Sequence, residues 1–207
     1  MAPKVSFPIT NDDEANAFLV ADPLALVLGM LLDQQVPMEW AFRGPFALKG
    51  RLGGELDAGA IAAMGQDAVV EVFCAKPALH RYPAVMGRRT WELCQYIVDH
   101  YGGDAGKVWR GVRTGDELYR RLRELPGYGE EKAKIFMAIL AKRMGKRPTG
   151  WEVAAAPFSD DVHRSVADVA SAATLAKVRE FKKAQKAAKR GKADQPVATS
   201  RVAAVDS

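Results

Sequence analysis

The sequence predicts an all-α protein, and three observations carry that prediction. Apolar residues recur at helical spacing through most of the chain. Helix start and stop signals punctuate it, among them Asp22-Pro23, Thr114-Gly115-Asp116-Glu117 and His100-Tyr101-Gly102-Gly103. Alternating runs of the strand type are scarce. The chain has 207 residues, 48% of them hydrophobic. That is enough for a sizeable core in one domain or in two small helical lobes.

The elements follow in order. A first helix is expected over 11–20, where Asn11 and Glu14 stand at capping-box spacing. Asp22-Pro23 opens the second, an N-cap followed by a proline at the first helical position. Residues 24–32 are then apolar on every side, the pattern of a helix buried all round. It stops at Asp33-Gln34-Gln35 and Val36-Pro37. Further helices are expected at 56–64, 66–74, 86–100 and 107–109. Thr114 caps the next one, with Glu117 reaching back and Leu118, Leu122 and Leu125 as its apolar stripe. After a short turn, Ala133, Phe136, Met137 and Leu140 keep the i, i+3, i+4, i+7 spacing of one buried face. Helix is expected again from 160 to 189. Residues 1–181 therefore read as a helical domain with a hairpin at 114–143. Residues 182–207 read as a basic tail, expected to be disordered beyond Arg190, where the apolar face is lost.

Charge is unevenly placed. The chain carries +5, and the 7 basic and 2 acidic residues of 182–207 account for all of it. Residues 107–147 nevertheless hold 12 basic and 5 acidic residues, whereas residues 1–34 hold 1 basic and 5 acidic. A basic patch on a neutral body suits a phosphate-bearing partner. Met1-Ala2-Pro3-Lys4 leads straight into polar residues, so no secretory leader is expected. The apolar run 24–32 is too short to span a bilayer. Cys74 and Cys94 lack metal-ligand spacing, and the chain has three histidines, His80, His100 and His163. No metal, cofactor or membrane is expected; a soluble, cytoplasmic monomer is.

Three motifs carry chemistry. Leu125-Pro126-Gly127-Tyr128-Gly129 joins the two hairpin helices. A glycine turn that opens a helix offers orphan backbone N–H groups and the positive end of the helix dipole, a natural site for a phosphate. Leu31-Leu32-Asp33-Gln34-Gln35 ends the buried helix with two amides, which can meet base edges or cap the helix. Ser159-Asp160-Asp161-Val162-His163-Arg164 holds an acidic pair, which can face a cavity or cap a helix start. Among the aromatic residues, Tyr128 and Trp151 can stack on a base or pack, and Trp40 reads as packed.

In this order the motifs resemble those of the helix-hairpin-helix DNA glycosylase superfamily, typified by endonuclease III. The resemblance runs from about 22 to 169. The family pattern passes from a buried helix ending L-L-x-x-Q, through L-P-G-V-G, to V-D-T-H. It implies a two-lobed helical bundle with an interlobe cleft. Gln35 corresponds to the glutamine that enters the duplex. Gly127, Tyr128, Gly129 and Lys132 correspond to the phosphate-binding hairpin. Asp161 corresponds to the catalytic aspartate, with Asp160 as the alternative because the family has an apolar residue there. Gln34, Glu131, Trp151 and His163 are candidates for the pocket.

The departures are specific. The four-cysteine iron–sulfur loop is absent, and residues 147–157 look like an insertion. Glu131 stands where bifunctional members carry the nucleophilic lysine. A neighbouring lysine is rotated by about 100° around the helix, so Lys132 is expected to miss the pocket and serve as a surface charge. The resemblance therefore implies a base-excision repair glycosylase without strand-cleaving lyase activity, acting on nucleoid DNA that holds a damaged or mismatched base. The alternative is a non-catalytic helix-hairpin-helix DNA-binding protein.

Overall fold

The computed structural model describes residues 6–194 and residue 196. The described residues form ten α-helices, two short 3-10 turns and no strand. The helices are α1 (Asp13–Ala21), α2 (Pro23–Leu32), α3 (Met38–Arg51), α4 (Ala58–Ala63), α5 (Gln66–Cys74), α6 (Pro83–Tyr101), α7 (Gly115–Glu124), α8 (Glu130–Lys142), α9 (Trp151–Ala154) and α10 (Ala172–Ala187). The 3-10 turns are Ala105–Val108 and Val166–Asp168. No single helix among the described residues is long and apolar enough to cross a membrane.

Helix α2 lies at the centre. Asp22 caps it, its carboxylate accepting from the backbone N–H groups of Leu24 and Ala25, and every residue from Leu24 to Leu32 is buried. Burying large aliphatic side chains stabilises a fold by about 1.5–3 kcal/mol each, so this short segment anchors the core. Helix α3 packs directly on it. A β-carbon on Gly44 would collide with Leu32 Cδ1, so the missing side chain sets how closely the two helices approach. Helix α8 is buried from Ile135 to Ala141 and forms the second core element. Helices α4 and α5 pack on α6, which starts at Pro83 and ends at left-handed Gly102. There Gly103 N–H returns to Ile97 O, closing the helix end.

Helix α7 begins as expected, with Thr114 Oγ1 accepting from Glu117 N–H. Glu117 does not reach back; its carboxylate pairs with Arg121 at 2.6 Å. Residues 147–157 are tied in rather than looped out. Gly115 N–H donates to Thr149 O, and Thr149 N–H donates to Arg113 O. Trp151 then starts α9 and is buried.

Three expectations change. Helix α3 has no counterpart among the expected helices; Gly44, Pro45 and Gly50 are all poor helix formers. Pro45 sits inside the helix, which the packing against α2 holds together. Residues 160–171 hold no α-helix, only the 3-10 turn Val166–Asp168. Asp168 organises them instead, accepting from the N–H groups of Arg164 and Ser165 and pairing with Lys142 at 2.6 Å. Helix α10 starts only at Ala172, with Ser171 as N-cap in a capping box with Thr174. The presumed tail begins as the last turns of α10, and Gly191–Asp194 fold back onto the protein. Gln185 Nε2 donates to Gly191 O, and Arg164 donates to the carbonyls of Lys192 and Asp194. The rest of the tail, Pro196 aside, lies outside the described residues.

Candidate nucleic-acid interface

The site is built around the C-terminal end of α2. A helix end leaves its last four carbonyls without helical partners. Here three of them are met by two residues remote in sequence. Lys132 Nζ donates to Met30 O at 2.7 Å and to Leu31 O at 2.6 Å. His80 Nε2 lies 3.1 Å from Leu32 O, while His80 Nδ1 accepts from Tyr82 N–H. The imidazole is therefore the neutral Nε2–H tautomer, and burial pushes its pKa down. One turn deeper, Tyr128 Oη donates to Val27 O at 2.7 Å.

The hairpin turn docks on this helix end. Gly127 has φ +83°, and a β-carbon there would collide with Leu31 Cδ1. Glycine is thus required by close packing on α2 as well as by the turn. Gly129 has nothing within reach of a β-carbon and is the N-cap of α8, which no side chain caps. The first N–H groups of α8 therefore remain available for an anion. Two carboxylates share that end. Glu130 pairs with Lys134 at 2.8 Å, and Glu131 pairs with Lys192 at 3.1 Å.

Beyond Leu32 the chain turns sharply. Gln35 adopts φ +54°, a left-handed conformation uncommon for a residue with a side chain. Its side chain is exposed, and Oε1 accepts from Tyr82 Oη at 3.2 Å. Gln34 Oε1 accepts from Arg89 Nη1 at 2.5 Å. Trp40, 43% exposed, lies with its ring centroid 6.2 Å from that of His80, and the Tyr82 ring lies equally far from His80. Trp40 and Tyr82 are thus exposed rings near the buried His80, and Tyr82 contacts Gln35.

A cavity of about 450 Å³ brings the predicted residues together: Gln34, Gln35, Gly127, Gly129, Glu131 and Lys132 all line it. Asp33, which sequence reasoning passed over, lines it too. The cavity continues into a second of about 550 Å³, which shares Asp33, Gln35, Glu131 and Lys192 with the first. The basic side chains Lys182, Lys186, Lys189, Arg190 and Lys192 line this second part. Of the basic segment 107–147, only Lys132 lines these two cavities, beside Glu130 and Glu131; the basic side chains of the groove come from the end of α10. Much of the remaining hairpin charge is spent internally. Arg120 and Arg121 pair within α7, Arg110 pairs with Asp104, and Lys142 pairs with Asp168. A larger cavity of about 880 Å³ lies at the other end of α2 and holds none of the predicted residues.

Several expectations are corrected. Lys132 is not a surface charge. It is largely buried in the cavity wall, and burial pushes its pKa down to about 8. Tyr128 is 4% exposed and packs edge-on against Phe136, so its ring is core and its hydroxyl is committed to α2. Trp151 is 7% exposed and packs rather than stacks, whereas Trp40, expected inside, is outside.

The acidic pair does not line the cavity. Asp160 forms an ion pair with Arg164 and accepts from Val162 N–H. Asp161 is exposed and makes no side-chain hydrogen bond among the described residues, and His163 lies beside it, half-buried. The link to the cavity is indirect: Asp160 to Arg164, Arg164 to the Lys192 carbonyl, Lys192 ammonium to Glu131. No group of three or more His, Cys, Asp or Glu among the described residues is arranged to hold a metal.

No protein-family model matches the chain, and no curated protein and no solved structure is found to match it.

Proposed function

We propose that this protein binds duplex DNA and hydrolyses the N-glycosidic bond of a damaged or mismatched base. One observation supports the reading above all others. Residues from two separate motifs, the Gln34-Gln35 turn and the 125–132 hairpin, line one cavity that runs into a basic groove. In this reading α7, the turn and α8 are the helix-hairpin-helix, and the groove is the cleft of a two-lobed bundle. The protein works as a monomer on nucleoid DNA in the cytoplasm.

The chemistry follows from the groups present. A base inside a duplex is out of reach, so it must be flipped out, at a cost of a few kcal/mol. Gln35, exposed at the apex of its turn, fills the vacated space. The N–H groups at the start of α8 and the α10 lysines hold phosphates. As the C1′–N bond breaks, the base leaves with the electron pair and the sugar becomes cationic. A carboxylate stabilises that charge and takes a proton from the water that bonds to C1′. Asp161 is assigned to this step, with Asp160 as the alternative. Asp33 and Glu131 are the carboxylates already in the cavity. The reaction ends at the abasic site. Glu131 cannot form a Schiff base, and the Lys132 amine is tied to two carbonyls.

The alternative, a DNA-binding protein without catalysis, is favoured by one observation: Asp160 is held by Arg164, and Asp161 lies outside the cavity lining. The deciding experiment is a panel of duplexes, each with one lesion or mismatch, incubated with protein and assayed for free base and abasic sites. Base release that Asp161→Asn abolishes supports the enzyme. Salt-sensitive binding with no release from any duplex leaves the binder.

A further inference from the structure

On the α10 side of the groove two polar groups lack adequate partners. Gln185 is 2% exposed; its Nε2 donates to Gly191 O at 2.8 Å, but its Oε1 has no hydrogen-bond partner among the described residues. An unpaired buried carbonyl is costly and calls for a donor. Three residues earlier on α10, the one hydrogen-bond partner of the Lys182 ammonium among the described residues is Met38 Sδ, at 3.9 Å. A thioether is a weak acceptor, so this amine calls for an oxygen. Residues three apart lie on one helix face, and both line the same cavity. Burial pushes the Lys182 pKa down. Asp33, Glu39 and Glu131 oppose that effect, and Lys192 adds to it.

A ligand that satisfies both groups presents a ring N–H beside a ring carbonyl oxygen. Gln185 Oε1 accepts the N–H, and Lys182 donates to the oxygen. We infer that this wall of the groove reads the extruded base, and that the base is a neutral oxo-base with such a lactam edge, of the uracil, hypoxanthine or 8-oxopurine class. Cationic N-alkylpurines are excluded, because five basic side chains face the groove against the carboxylates of Asp33 and Glu131. This inference rests on the glycosylase reading for the base being extruded here.

The test measures affinity rather than turnover. Duplexes carrying one 2′-fluoroarabino nucleotide resist glycosidic cleavage, so their affinity can be compared with that of an undamaged duplex. The bases used are uracil, hypoxanthine, 8-oxoguanine and the cationic 7-methylguanine. At least one oxo-base duplex is expected to bind 10-fold or more tightly than the undamaged one (about 1.4 kcal/mol), and the 7-methylguanine duplex no more tightly. The gain should vanish in Gln185→Leu and Lys182→Met and survive in Lys182→Arg. The Lys182 pair carries the test if loss of the Gly191 bond unfolds Gln185→Leu. Equal or tighter binding of the cationic base, or no gain for any oxo-base, overturns the inference. The cleavable duplexes judge the parent reading separately. Release of a cationic base overturns this inference and leaves the glycosylase standing. Selective oxo-base binding without any release overturns the enzyme and leaves the base-reading wall.

Discussion

Replacing Lys132 with methionine tests whether this lysine holds the site together. The ammonium makes charge-assisted hydrogen bonds to two carbonyls at the end of α2, each worth about 1.5–3 kcal/mol. Desolvation of the buried ammonium offsets part of that. Methionine keeps the volume and leaves both carbonyls unpaired, so the net loss at pH 7 should be about 2 kcal/mol. For a chain of this size that lowers Tm by about 4–8 °C. The exposed Lys134–Glu130 pair is the control: Lys134→Met should cost about 0.5 kcal/mol or less. The pH dependence gives a second signature. The folded pKa of Lys132 is about 8, below the unfolded value of about 10.4. Between these values the unfolded chain holds more protons, so stability rises with pH across that window. The slope is at most about 1.4 kcal/mol per pH unit for each such lysine. Lys182, also depressed by burial, contributes in the same direction. The neutral amine still carries two N–H donors, so both carbonyls stay satisfied. Urea denaturation from pH 7 to 10 measures both effects. The buried Cys94 thiol, whose pKa burial raises, pulls both proteins the other way above the ordinary thiol range. The readout is therefore the difference: across this range the wild type should gain stability relative to Lys132→Met. A variant as stable as the wild type, with the same slope, would refute the account of Lys132.

Other outcomes follow from the same geometry. Affinity for undamaged duplex DNA should fall steeply with salt, and changing Lys186, Lys189 and Arg190 together to Gln should flatten that dependence by up to about three phosphate contacts, measured by anisotropy titration; an unchanged slope would place DNA elsewhere. Asp161→Asn should keep duplex binding and reduce base release by about 10²–10⁴-fold, with Asp160→Asn the milder variant; the reverse ranking in single-turnover assays would shift the motif by one residue. Gln35→Gly relieves a left-handed residue that costs about 1–2 kcal/mol, so stability should hold or rise in thermal melts while release from paired lesions drops more than release from unpaired ones. Borohydride should trap no adduct between the wild type and abasic DNA; a strong adduct lost in Lys132→Met would make that amine a nucleophile.

The parts legible in the sequence are those set by local chemistry. The N-caps Asp22 and Thr114 act as read, and the all-apolar run of α2 marks the centre of the core. The fates of Tyr128, Trp40 and Trp151 were not legible, because an aromatic side chain's exposure depends on which helix packs over it. Lys132 makes the same point. Its rotation from Glu131 follows from helix geometry, but where it lands depends on α2 ending one side-chain length away. Helix α3 was hidden by Pro45, which tertiary packing tolerates where local propensity would not. Lys182 was read only as the start of a basic tail and Gln185 left no signal, since their placement depends on the Gly191–Asp194 segment folding back.

The partners of α2 carry a consequence for how the molecule assembles. His80 reaches that helix end across 48 residues, Tyr128 across 101 and Lys132 across up to 102. Helices form from neighbours, quickly; closing separations of this size costs chain entropy first and is rewarded afterwards. A chain in which those contacts are unmade leaves the end of α2 bare and has no cavity. A ligand that occupies the groove binds only the fully closed chain, so it should slow exchange of the Val27–Leu32 amides with solvent more than it slows exchange in helices remote from the groove.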